Sequence, residues 1–238
     1  MKIAAAQLTC APAEVSVNAA RAAALAARAR EQGAELVVFP ELTLTGYELE
    51  PLAQDPGLWL ADAEDPRLDG LRSTGTATAV NVALRTGGPL PAIATLVYDA
   101  DGAHVTTYAK HHLFEHEQGA FAAGTGDGRF ELGGIRFSLA VCYDNHFPEL
   151  TGRAAADGCR VHLASSLYGT GGGIAERASI YPGIAKEHGM YVVLANHVGP
   201  AGPWTGCGGA AVWGPGGELL AEADDRTPGV VTAEVSAG

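Results

Sequence analysis

Four consecutive apolar residues, Leu36-Val37-Val38-Phe39, are stopped by Pro40 and followed at once by Glu41. A strand with one wet face alternates apolar and polar side chains, so an unbroken run implies a strand covered on both faces. The preceding residues agree. Residues 3–8 read as a short apolar strand, and residues 16–32 as an alanine-rich helix with Ser16 placed to cap its start and Gly33 to end it. Strand, helix and buried strand in succession imply a layered α/β architecture.

The rest of the chain extends that pattern. Residues 93–98 and 104–108 flank the turn signal Asp99-Ala100-Asp101-Gly102, which predicts a hairpin. Residues 135–141 predict a strand, 148–157 a helix closed by Gly158, and 161–165 another strand. Helical pattern resumes near Ile174, is disturbed at Pro182-Gly183, and gives way to a strand over 191–195. Residues 210–235 read as a glycine-punctuated pair or trio of strands, whereas 62–88 mix turn residues with Ala and Thr and yield no clear element. At 238 residues the chain is long enough to bury one large core, and without a linker or internal repeat it is expected to be a single domain over 1–238.

Charge narrows the partners. Fifteen Lys and Arg against 27 Asp and Glu give a net charge of -12, which repels phosphate backbones and anionic lipid, so no nucleic-acid partner is expected. A membrane span needs roughly 18 or more uninterrupted apolar residues, and the sequence has no such run. The string Leu8-Thr9-Cys10 has the outline of a short lipoprotein signal, but Gln7 and the brevity of the apolar run argue against export. Four cysteines, Cys10, Cys142, Cys159 and Cys207, are too few and too irregular for a disulfide framework or a CxxC metal site. A reducing, cytoplasmic setting is the expectation.

Three chemically capable residues each fall just past a predicted strand: Glu41, Lys110 and Cys142. Ligands in open α/β sheets gather at the carboxyl ends of strands. Singly, a strand-end cysteine is ordinary packing and a loop Glu or Lys a solvated charge. Jointly they have a chemistry. A thiol is a poor nucleophile at neutral pH until a base takes its proton or a cation holds the thiolate, and Glu41 and Lys110 supply both. A lysine ammonium beside the attacked carbon also stabilises an oxyanion, which leaves no need for a metal or other cofactor.

Three strings then resemble, in order, the signature blocks of the nitrilase superfamily of carbon–nitrogen hydrolases: residues 39–47 (FPELTLTGY), 108–113 (YAKHHL) and 142–150 (CYDNHFPEL). The resemblance extends to the strand at 3–7, to 187–196 and to a hairpin at 206–220, and so covers nearly the whole chain. It implies a four-layer α-β-β-α sandwich, pairing as a homodimer or higher homo-oligomer, and a Glu-Lys-Cys triad. In that triad Glu41 is general base, Lys110 oxyanion stabiliser and Cys142 the nucleophile that forms an acyl thioester. It further implies a second, supporting glutamate, for which Glu117 fits better than Glu115, and the backbone N–H of Tyr143 as second oxyanion donor. The expected reaction is hydrolysis of a small amide to a carboxylic acid and ammonia or amine, with N-carbamoyl amino acids or nitriles as alternative substrates. His188, Ala210 and the pair Asn145-His146 depart from the residues common in the family, the last where relatives that take carboxylated substrates often carry an arginine.

Other readings compete. His111, His112, His116 and the two neighbouring glutamates are metal-capable, with His112 and His116 at i, i+4 spacing, but no HExxH or cysteine pair accompanies them. A Cys–His dyad would pair Cys142 with His146, His162 or His197. A non-catalytic small-molecule binding scaffold would have no chemical reason to keep Glu41, Lys110 and Cys142 together. Cys10, Cys159 and Cys207 read as small apolar packers, and Gly169 to Gly173 lack the context of a nucleotide loop. Tyr47, His146, Tyr168 and Trp204 are candidates to line the substrate pocket, and Trp213 is considered with them.

Overall fold

A computed structural model describes residues 1–237. Strand β1 (Lys2–Leu8) leads into helix α1 (Val15–Glu31), β2 (Leu36–Val38), the short helices α2 (Leu49–Gln54) and α3 (Asp69–Arg72), and the run β3 (Ala77–Leu84), β4 (Ala92–Tyr98) and β5 (His104–Ala109). The second half comprises β6 (Arg129–Leu132), β7 (Ile135–Val141), α4 (Pro148–Ala156), β8 (Val161–Ser166), α5 (Gly172–His188), β9 (Tyr191–Ala201), β10 (Trp204–Cys207), β11 (Ala211–Trp213), β12 (Leu219–Glu222) and β13 (Gly229–Glu234).

These strands make two half-sheets. One runs β5-β4-β3-β2-β1-β13 and the other β6-β7-β8-β9-β11-β12. Among the described residues their strands pair with one another only where the end of β1 meets β9, Gln7 with Asn196 and Leu8 with His197. Three separate apolar clusters then define four layers. Ile3, Ala5, Leu36 and Val38 of the first half-sheet meet Phe137, Val141, Leu163 and Val193 of the second, face to face. The alternate residues Ala4, Ala6, Val37 and Phe39 point the other way, onto Ala22, Leu25 and Ala26 of α1. On the far side, Ala164, Val192 and Leu194 pack under Tyr181, Ile184 and Ala185 of α5 and Ala154 of α4. The order is α-β-β-α, and the unbroken run at 36–39 is apolar because both its faces are covered.

The structure corrects several expectations. Helix α1 begins at Val15 with no side-chain cap, so Ser16 lies inside the first turn. Asn18 does the anchoring instead, bonding the backbone of Ala11 and Leu44 from a fully buried position. Helix α5 continues through Pro182, because Tyr181, Ile184 and Ala185 on its buried face hold both halves to the sheet against the lost backbone hydrogen bond. The unassigned segment contains β3, a central strand whose Thr78 and Asn81 are buried polar residues that blur an apolar pattern. β10 was likewise hidden, in a stretch of only four residues. Among the described residues no helix is long and apolar enough to cross a membrane.

Candidate active site

Three loops at strand carboxyl ends build the site. After β2 the chain turns sharply at Leu42, which has φ +48°. That turn is held from β3: Leu42 donates its backbone N–H to Asn81 Oδ1 at 2.7 Å, and Thr43 donates to the Asn81 carbonyl at 2.9 Å. Glu41 is thereby fixed with its side chain fully buried. Its carbonyl accepts from His197 Nε2, a ring that burial keeps neutral by lowering it to about 4. Lys110 follows β5, its N–H bonded to the Ile93 carbonyl and its carbonyl to the Gly124 N–H. Gly124 is required there, since a Cβ would stand 2.2 Å from the Ala109 carbonyl oxygen.

Cys142 follows β7 at the head of a 3-10 turn over Cys142–His146, with φ +44°. A non-glycine residue at positive φ is strained, and such strain concentrates at functional sites. Two groups of bonds hold the turn. Asp144 accepts from Tyr108 Oη, His112 N and Val141 N, tying the cysteine loop to the lysine loop. Asn145 donates to the Cys142 carbonyl at 2.9 Å and is itself bonded to His162, which reaches Ser138 on the neighbouring strand. The N–H of Tyr143 lies in the first turn of this short helix, where backbone donors have no intrahelical partner.

The charges are arranged asymmetrically. Lys110 Nζ sits 2.7 Å from Glu41 Oε1 and 2.7 Å from Glu117 Oε1, all three side chains fully buried. Glu117 is also held by the Tyr47 hydroxyl at 2.7 Å and by the Phe114 N–H at 2.7 Å. Glu115, by contrast, is exposed. Glu41 Oε2 is buried with no hydrogen-bond donor. Burial, opposed by Lys110 and assisted by the like charge of Glu117, raises Glu41 to about 8. Burial works against the charge of Lys110, but Glu41, Cys142 and Glu117 outweigh it and hold the amine above its ordinary value. Burial and then the Glu41 carboxylate push the Cys142 thiol well up, so it rests protonated. The combination is a protonated thiol, a base with one free oxygen and a permanent cation.

A cavity of about 320 Å³ opens over these groups. Glu41, Cys142 and Tyr143 line it, with Tyr47, His146, Tyr168 and Trp204 as anticipated, and with Phe114, Thr170 and Glu176, which sequence reasoning missed. Trp213 does not line it: its ring stacks on Tyr181 at 5.6 Å within the outer core. The imidazoles of a Cys–His dyad are engaged elsewhere, His146 with Glu176, His162 with Ser138 and Asn145, and His197 with the Glu41 carbonyl. His112 stacks on Phe147, His111 bonds the Gly126 carbonyl, and His116 lies beside Trp204. Among the described residues no group of three or more His, Cys, Asp or Glu is gathered as metal donors. Cys10, Cys159 and Cys207 are free and buried, and burial lifts the Cys10 thiol to about 12. Asp144, Asn81 and Asn145 were not singled out as supports; the one available signal was the polar type of each in or beside an apolar strand.

Residues 2–238 match the carbon-nitrogen hydrolase family. The chain is 31% identical to the 2-oxoglutaramate amidase of Bacillus subtilis (strain 168), over 85% of this chain and 78% of that one. It is 30% identical to a nitrilase of Pyrococcus abyssi, over 93% and 84%. Among solved structures, an amidase from Nesterenkonia sp. AN1 superposes with a TM-score of 0.90 at 31% identity, covering 100% of this chain and 94% of its own. That structure shows Michael addition of acrylamide at the active-site cysteine, and another of the same amidase holds butyramide.

Proposed function

Because the chain belongs to the carbon–nitrogen hydrolase family, we propose that it hydrolyses a small amide through an acyl thioester on Cys142, with Glu41 as base and Lys110 and the Tyr143 N–H as oxyanion donors. The observation that carries the reading is the free, buried Oε2 of Glu41 in the same cavity as the Cys142 thiol. A carboxylate whose other oxygen is fixed by an ammonium has one direction left in which to accept a proton.

The steps follow. Glu41 takes the Sγ proton, and the thiolate attacks the amide carbonyl carbon. The resulting oxyanion is stabilised by the charge of Lys110 and the hydrogen bond of the Tyr143 N–H. Collapse breaks the carbon–nitrogen bond, and the proton held by Glu41 passes to the leaving nitrogen as ammonia or amine departs. Glu41 then deprotonates a water that attacks the thioester, and the acid leaves as the proton returns to sulfur. Glu117 positions Lys110 and does not react. The relatives' amides, 2-oxoglutaramate, butyramide and acrylamide, mark the size range to test. We place the activity in one domain and in the cytoplasm, on the four free thiols, and expect a homodimer or higher homo-oligomer, to which the exposed Leu219 and Leu220 are suited.

The test is ammonia release from a panel of short amides, ω-amido acids, N-carbamoyl amino acids and nitriles, with wild type and Cys142→Ala side by side. Turnover of amides by the wild type and none by the folded variant is expected. Equal turnover by both, or silence of the wild type across the panel, overturns the assignment, and silence leaves the binding scaffold in its place.

A further inference from the structure

The charge of the cavity walls carries a statement about the far end of the substrate. The catalytic cavity shares Tyr47 and Trp204 with a second, outer cavity of about 650 Å³. The ionisable residues along the two are Glu41, Cys142, Tyr143, His146, Tyr168 and Glu176 inside, and Glu48, Glu50 and His116 outside, with Tyr47 between. Among the described residues no lysine or arginine lines either cavity, although the chain has 15. Lys110, just behind the wall, is balanced by two carboxylates. The amino end of α5 at Gly172 and Gly173 adds about half a positive charge. Glu176 on that same helix carries a full negative one.

Glu176 is the acid placed to act on a bound molecule. Its Oε1 lies 2.7 Å from His146 Nε2, and the two side chains are 43% and 32% exposed at the cavity. This contact can open, because a hydrogen-bonded pair this exposed is held by little energy whether or not the ring is charged. A carboxylate at the distal end of a substrate has no fixed cation to meet and would face Glu176, Glu48 and Glu50. A distal ammonium would replace the imidazole as the partner of Glu176.

We propose that the site selects amides whose distal end is cationic, an amine or guanidine a few carbons from the amide, over amides ending in a carboxylate, with Glu176 as the specificity-determining residue. The inference rests on the amidase reading above. It sets this chain apart from what the name of the Bacillus subtilis relative says that protein acts on.

The experiment compares kcat/KM at one pH for three amides of equal length: 5-aminopentanamide, pentanamide and 4-carbamoylbutanoate. The expected order is cationic, neutral, anionic, with the first exceeding the last by about tenfold or more, the scale of one like-charge contact exchanged for one partly exposed pair. In Glu176→Gln the ratio of cationic to neutral falls by about threefold or more. In His146→Gln that ratio rises, because Glu176 loses its competing partner, a response that a merely structural role would not give. Pentanamide separates the two claims. Its turnover with an anionic preference, or with a ratio unmoved by Glu176→Gln, overturns the selection and leaves the amidase reading standing. Failure of all three amides overturns both.

Discussion

Glu41 is the residue on which the chemistry turns, because it has to be ionised to accept the thiol proton while sitting in a place that penalises its charge. Burial raises it to about 8, and Glu117 contributes to the rise. The sign for activity follows directly. Below that pH Glu41 carries a proton and is no base; above it the carboxylate is free. The kcat/KM of a neutral amide is therefore expected to climb with pH through a limb centred near pH 8, well above the ordinary carboxylate range, and to level off above it. Replacing Glu117 by Gln removes a like charge and leaves Lys110 wholly to Glu41, so the acid limb should move to lower pH even if the plateau drops. A limb centred near the ordinary value for glutamate in the wild type, or one that moves upward in Glu117→Gln, would contradict this electrostatic picture. The triad itself was legible because Lys110 and Cys142 each stand one residue past a strand and Glu41 three residues past one, just beyond Pro40. Asp144 was not singled out, since its role lies in joining two loops through bonds to Tyr108, His112 and Val141 that no local pattern reveals. Glu176 and Phe114 were missed for the same reason: they reach the cavity through the packing of α5 and of the loop after β5.

At the scale of elements, strands with two covered faces were the most readable, and β7 falls at Ile135–Val141 as expected. β10 failed to show because it is short, and β3 because buried polar groups replace apolar ones. Asn81 spoils the pattern of β3 because it has another task, holding the Glu41 turn. His162 is likewise a buried polar residue, within β8, a strand expected over 161–165; it is bonded on both ring nitrogens and supports Cys142 through Asn145. Burial, then the nearby charge of His188, lowers His162 to about 4. The consequence for stability has a definite sign. Between pH 6.5 and about 4 the unfolded chain binds a proton on this ring that the folded chain does not. Its contribution is thus complete above pH 6.5 and is lost as pH falls toward 4. In urea unfolding across that window, His162→Gln should show a shallower loss of stability than the wild type, by up to roughly 1.4 kcal/mol per pH unit. Parallel slopes in the two proteins would contradict a neutral, buried His162.

On the scale of the molecule, the two half-sheets pack so that the carboxyl ends of β2, β5 and β7 converge, which is how residues 41, 110 and 142 come together from distant parts of the chain. The layer order was expected from a family resemblance and not from periodicity alone, because alternation reports that a strand is covered but not by what. Three separate apolar clusters, one between the sheets and one under each helix layer, make that distinction visible. The acidic balance of the whole chain continues into the cavity walls, where it bears on which amides enter.

The central claim is that the acyl group passes through Cys142, and the most direct measurement is the intact mass of the protein during turnover of a short amide, in wild type and Cys142→Ala. The wild type should gain the mass of the acyl group without its nitrogen, on a peptide containing Cys142, while ammonia is released. The variant, folded by circular dichroism, should show neither. Undiminished ammonia release by Cys142→Ala, or an acyl adduct located on any other residue, would contradict the account.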